Sequence, residues 1–150
     1  MIQRIQTIYL ALAAAAALGQ FALPYLVAAA TGPLAAAVPA FSDGRLNPLD
    51  NVGLLGLTAL TVLLSAVAVF LFRNRPLQGR LAGGAAIASV LLLVLAGLTT
   101  KQTLDAVPMG EAAHFHAGLG LPVLALLCQW LAMRNIGKDE KLVRSMDRLR

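Results

Sequence analysis

Four apolar runs separated by polar or turn-rich stretches lay out the chain. Ile5 to Ala30, Val52 to Phe72, Leu81 to Thr100 and Phe115 to Met133 contain 26, 21, 20 and 19 residues, and none includes Asp, Glu, Lys or Arg. A helix rises 1.5 Å per residue, so about 20 uncharged residues reach roughly 30 Å, the thickness of bilayer hydrocarbon. The pattern predicts an all-α fold: an integral membrane bundle of four transmembrane helices, followed by a short amphipathic cytoplasmic helix at the C-terminus. Loops and ends are too small for a separate soluble domain, so residues 1–150 are read as a single membrane domain.

The stretch between the second and third runs fixes the sidedness. Arg73-Asn74-Arg75-Pro76-Leu77-Gln78-Gly79-Arg80 places three arginines in eight residues. Such a segment does not lie in hydrocarbon, and Pro76 is expected to break the helix there. Ten bases then fall on one side: Arg4, these three, and Arg134, Lys138, Lys141, Arg144, Arg148 and Arg150. Arg45 and Lys101 stand on the other. By the positive-inside rule both termini and the central turn face the cytoplasm, with the two remaining loops outside. A secretory signal peptide is the competing reading of the first run, but that run continues well past a usual signal core. Tyr9 and Trp130 are expected at the inner boundary and Tyr25 at the outer one.

Composition agrees. The chain is 59% hydrophobic and 13% charged, with a mean hydropathy of +0.77. Its net charge of +5 is explained by bases at membrane boundaries rather than by nucleic acid. The single cysteine, Cys128, leaves no partner for an intrachain disulfide or a thiolate metal site.

Inside the runs, polar positions are sparse. Gln20 and Pro24 are expected within the first span, where proline would free the carbonyl of Gln20. In the second, Thr58, Thr61 and Ser65 fall at i, i+3 and i+7, one narrow hydroxyl stripe. Such groups more often bond their own i−4 carbonyls or join helices than line a path. Small residues at Gly79 and Gly83, and at Ala85 and Ser89, favour close helix contact. The segment Thr31 to Asp50 reads as a loop, with Leu34 to Val38 on the membrane surface.

Glu111, His114 and His116 form the one cluster resembling a metal or proton site. On a helix His116 would point away from His114, whereas in extended chain the two would face together. An interfacial pair at the outer mouth of the fourth span is the simpler reading. No run carries a charged residue in its interior, which lowers proton-coupled transport, and no nucleophile elbow, phosphate loop or zinc helix motif occurs. Neither a catalytic residue nor a cofactor is expected.

The tail, residues 134–150, carries more. Leu142, Val143, Met146 and Leu149 occupy one arc of a helical wheel, with charge elsewhere, and Glu140 pairs with Arg144 at i, i+4. Gly137 is expected to separate this helix from the fourth span.

Four stretches also look familiar: Met1 to Leu10, Leu71 to Gln78, the Gly118 to Pro122 step and, most specifically, Lys138 to Arg150. Together they resemble the Bacteroidota domain-of-unknown-function family 4293, four-helix inner-membrane proteins, over the whole chain. Gly137 and Pro76 depart from it, each standing where that family is expected to carry a base. The resemblance implies the inner-membrane location and topology, and no activity.

The expected function is a non-catalytic accessory or scaffold subunit. It would present Arg73, Arg75, Arg80, Lys138, Lys141, Leu142, Val143, Arg144, Met146, Arg148 and Leu149 to a membrane or cytoplasmic protein partner, or act as a homo-oligomer in the lipid bilayer. The alternative is a small oligomeric channel or exporter using Gln20, Thr58, Thr61 and Ser65.

Overall fold

A computed structural model of the chain describes residues 2–27, 43–106 and 113–147. Among the described residues there are four α-helices: α1 (Ile2–Gly19), α2 (Val52–Phe70), α3 (Arg75–Asp105) and α4 (Leu121–Asp147). Each packs against two others, α1 on α2 and α4, and α3 on α2 and α4. Among the described residues three segments are long and apolar enough to cross a membrane: Val52–Phe70, Arg75–Asp105 and Ala117–Asp139.

The first run departs from expectation. Its helix stops at Gly19 instead of continuing to Ala30, and the apolar portion, Ile5–Gly19, is shorter than the other three. Pro24 explains the stop. It has no N–H to continue the helical ladder and drives the residue before it toward extended backbone. The N–H groups of Phe21, Ala22 and Leu23 still bond back to Leu18 and Gly19, closing a last turn before the chain straightens. Gln20 and Pro24 therefore do not mark a kink inside a span, and residues 28–42, including Leu34 to Val38, lie outside the described residues.

The straightened chain builds an element that helical periodicity did not announce. Leu26–Val27 (β1) lies between Arg45–Leu46 (β2) and His114–Phe115 (β3) in a small antiparallel sheet. Tyr25 N–H donates to the carbonyl of Leu46 and His116 N–H donates to that of Tyr25, lengthening both ladders. Gly44, at φ 72°, provides the left-handed turn into β2, and the Asp43 carboxylate accepts the Arg45 N–H. Short 3-10 turns follow, Pro48–Asp50 before α2 and Ala117–Gly120 before α4.

Helix ends follow local chemistry. Asn51 caps α2 by accepting from Gly53 and Leu54, and Asn74 caps α3 by accepting from Leu77. Pro76 sits in the first turn of α3, where its missing N–H costs nothing. It starts that helix rather than breaking one, so the polar turn shrinks to residues 71–74 and Arg75 and Arg80 are helical. At its far end α3 continues through Lys101 to Asp105. Gly137 does not separate the tail, because α4 runs through it without interruption to Asp147.

The interior is small and polar while the exterior is large and apolar. Of the 20 buried apolar residues among those described, 12 are alanine, and Gln6, Gln20, Gln78 and Gln129 are among the largest described side chains with almost no exposure. Outside, Val52, Phe70 and Ile87 are 86%, 77% and 65% exposed, and leucines and valines cover the surface between them. Water would penalise that surface at about 25 cal/mol per Å², whereas lipid tails would not, and helices that associate in lipid meet through small residues and hydrogen bonds. The distribution is compatible with a multi-pass membrane protein.

Candidate functional site

The starts of α1 and α3, the end of α2 and the last third of α4 share one end of the molecule. Gln78 Nε2 donates to the carbonyl of Ala68 at 2.9 Å, fastening α3 to the end of α2. Gln6 Nε2 donates to Asp139 Oδ2 at 2.6 Å, fastening α1 to α4. Leu10, Ala68, Ala82, Ala132 and Ile136 fill the space between.

This end gathers the bases that the sequence singled out. Arg73 and Arg80 are exposed and Arg75 is half-buried at the α2–α3 turn, while Lys138 and Lys141 are exposed on α4. Arg73 lies over the Phe72 ring and Arg134 over the indole of Trp130, which keeps two guanidinium groups against aromatic surface. Asp139 is buried and engaged with Gln6, so of the tail's acids this one serves the interior. Leu142 is 54% exposed beyond that contact. The backbone of Val143, Arg144 and Met146 continues α4, and their side chains, with Arg148 and Leu149, lie outside the described residues.

The hydroxyl stripe of α2 is wholly buried and mostly committed to structure. Thr61 Oγ1 donates to the carbonyl of Leu57 at 2.8 Å, the i−4 back-bond common in apolar helices. Ser65 belongs to a three-helix knot. Ser89 Oγ on α3 donates to Gln129 Oε1 at 2.9 Å, and Gln129 Nε2 on α4 donates to Ser65 Oγ at 3.1 Å. Gln129 was not distinguished in the sequence, although an amide in an otherwise apolar run is the available signal.

Toward the opposite end, Tyr25 is fully buried with Leu54, Leu92 and Ala96 and is no interfacial aromatic. Its phenol donates to Gln20 Oε1 at 2.8 Å. Thr58, buried on α2, interacts with the same phenol. Gln20 Nε2 and Thr100 Oγ1 are buried and have no hydrogen-bond partner among the described residues.

His114 and His116 occupy extended backbone, not helix, and so face one way, while Glu111 lies outside the described residues. Among the described residues no three His, Cys, Asp or Glu side chains group closely enough to hold a metal. Cys128 is a buried free thiol.

No curated protein is similar to this chain, and no solved structure matches it. The family described as Domain of unknown function (DUF4293) matches residues 2–149. With nearly every residue inside that match, from Ile2 at the start of α1 to beyond the end of α4, the chain belongs to the DUF4293 family.

Proposed function

We propose that this chain is an inner-membrane protein with both termini in the cytoplasm, and that it acts as a non-catalytic accessory or scaffold subunit. Its docking surface is the basic end: Arg73, Arg75 and Arg80 together with the α4 tail from Lys138 onward. The supporting observation is the unbroken α4. It is tied to α1 through the buried Gln6–Asp139 hydrogen bond and continues to Asp147. A tail held this way meets a partner with little ordering cost, unlike a hinged one. Bases at one end favour an acidic partner face.

Mild-detergent purification should recover a stoichiometric companion. Removing Lys141 to Arg150, which leaves the Gln6–Asp139 bond in place, should release that companion while the protein still inserts. Undiminished association after the truncation would refute the docking role.

A second reading, a small oligomeric channel or exporter, draws on Gln20 Nε2, without a partner among the described residues, and on the buried Thr58 at Tyr25. Buried polar groups without partners are costly and sometimes mark a solute's position. Under that reading, Gln20→Leu combined with Thr58→Val should change solute flux in liposomes. Unchanged flux would remove these residues from any path.

A further inference from the structure

The small sheet at the end opposite the arginine turn has two unlike faces. Direct cross-strand partners point the same way in an antiparallel pair. Leu46 and Leu26 are therefore on one face, and both are buried. Arg45, Val27 and His114 form the row on the other face, with Val27 between the two polar side chains. His116, two residues beyond His114 in extended chain, returns to that face.

These residues line an open cavity of about 520 Å³, completed by Ala22, Leu23 and Pro24. That volume falls within the range of small-ligand sites, roughly 300–1,000 Å³. The lining divides in two. Ala22, Leu23, Pro24 and Val27 make an apolar wall, and Arg45, His114 and His116 supply N–H donors. Among the described residues no acidic side chain lines it. The nearest described carboxylate in the chain, Asp43, accepts the Arg45 backbone N–H. A guanidinium beside two imidazoles opposes a metal cation and suits an oxyanion, for which arginine offers a forked pair of donors.

We propose that this cavity binds an amphipathic phosphate: its oxyanion meets Arg45, His114 and His116, and a short apolar portion lies against Leu23, Pro24 and Val27. The same chemistry is offered by an anionic lipid headgroup and by a soluble alkyl phosphate ester.

Phosphorus NMR titration of the full chain in uncharged detergent, with hexyl phosphate and inorganic phosphate as separate probes, tests it. Hexyl phosphate should bind more tightly than inorganic phosphate. Arg45→Gln should weaken it by about tenfold or more, the usual loss for a hydrogen-bonded charged partner. The pair His114→Phe with His116→Phe, which removes the ring N–H donors, should weaken it independently, whereas Lys101→Gln, outside the lining, should not. The exposed Arg45 joins the sheet through its backbone, so its replacement should leave the melting temperature unchanged. In lipid nanodiscs, displacement of hexyl phosphate by phosphatidylglycerol assigns the site to lipid, and its persistence assigns the site to a soluble ester. Equal binding of the two phosphates, or binding indifferent to both the Arg45 and the histidine variants, would overturn the proposal.

Discussion

Replacing Gly118 by alanine should damage the sheet end of the molecule while leaving the arginine end intact. A Cβ at that position would lie 2.3 Å from the carbonyl oxygens of both Leu23 and Pro24, and 2.7 Å from the Pro24 carbonyl carbon. A close carbon–oxygen contact is about 3.3–3.6 Å, so the turn would have to retreat by about 1 Å. The opposing backbone is poorly able to yield. Pro24 is ring-restrained, and the N–H and carbonyl of Tyr25 are already bonded to Leu46 and His116. Forcing an extra methyl into such a contact costs about 1–3 kcal/mol. Gly120, two residues on in the same turn, has nothing within 4 Å of a Cβ and is the internal control. In mild detergent, thermal unfolding followed by circular dichroism should show Gly118→Ala destabilised and Gly120→Ala unchanged or slightly more stable. Hydrogen exchange should quicken at the His116 amide in the first variant only. Equal melting of the two variants would refute the claim that the 117–120 turn is wedged against Leu23 and Pro24.

Two other outcomes follow from hydrogen bonds at separate levels. Gln129→Leu should cost about 1 kcal/mol, the usual scale for interhelical side-chain bonds in lipid, and a cycle with Ser65→Ala in a detergent denaturation series should show coupling; additive losses would mean that the three-helix knot contributes nothing. Burial raises the Asp50 carboxyl above its ordinary 3.8; the Asn47 N–H lowers it, and nearby Asp43 raises it further. The folded state therefore holds this proton more tightly than the unfolded chain, so the stabilisation is full below 3.8 and is lost as pH rises through the raised value. Melting curves of wild type and Asp50→Asn should diverge across that interval, because asparagine keeps an acceptor for Asn47 and cannot ionise.

Three of the four helices were legible because uncharged runs of lipid length leave few alternatives. Their ends were less so. Proline was read as a break at Pro76, where it begins a helix, and as a tolerated kink at Pro24, where the helix is already over. What separates the cases is nonlocal. Leu26 and Val27 leave α1 to pair with residues 45–46 and 114–115, and strands of two residues carry no periodicity of their own. The clustering of Arg73, Arg75 and Arg80 with Lys138 and Lys141 followed from counting crossings, but the continuity of α4 through Gly137 did not. A glycine inside a helix costs only about 1 kcal/mol relative to alanine, which the flanking residues of α4 overcome. The extended setting of His114 and His116 was one of two geometries their spacing allowed, and Tyr25 chose between them through its carbonyl.

The alanine-rich interior reverses the usual map of mutational tolerance. In a water-soluble protein the large aliphatic positions resist change and the rim accepts it. Were these helices set in a bilayer, trading one outward leucine for isoleucine or phenylalanine would pass almost unnoticed, since fluid acyl chains reshape around either. Enlarging Ala85 or Ala132 to valine would instead push neighbouring rods apart along their length.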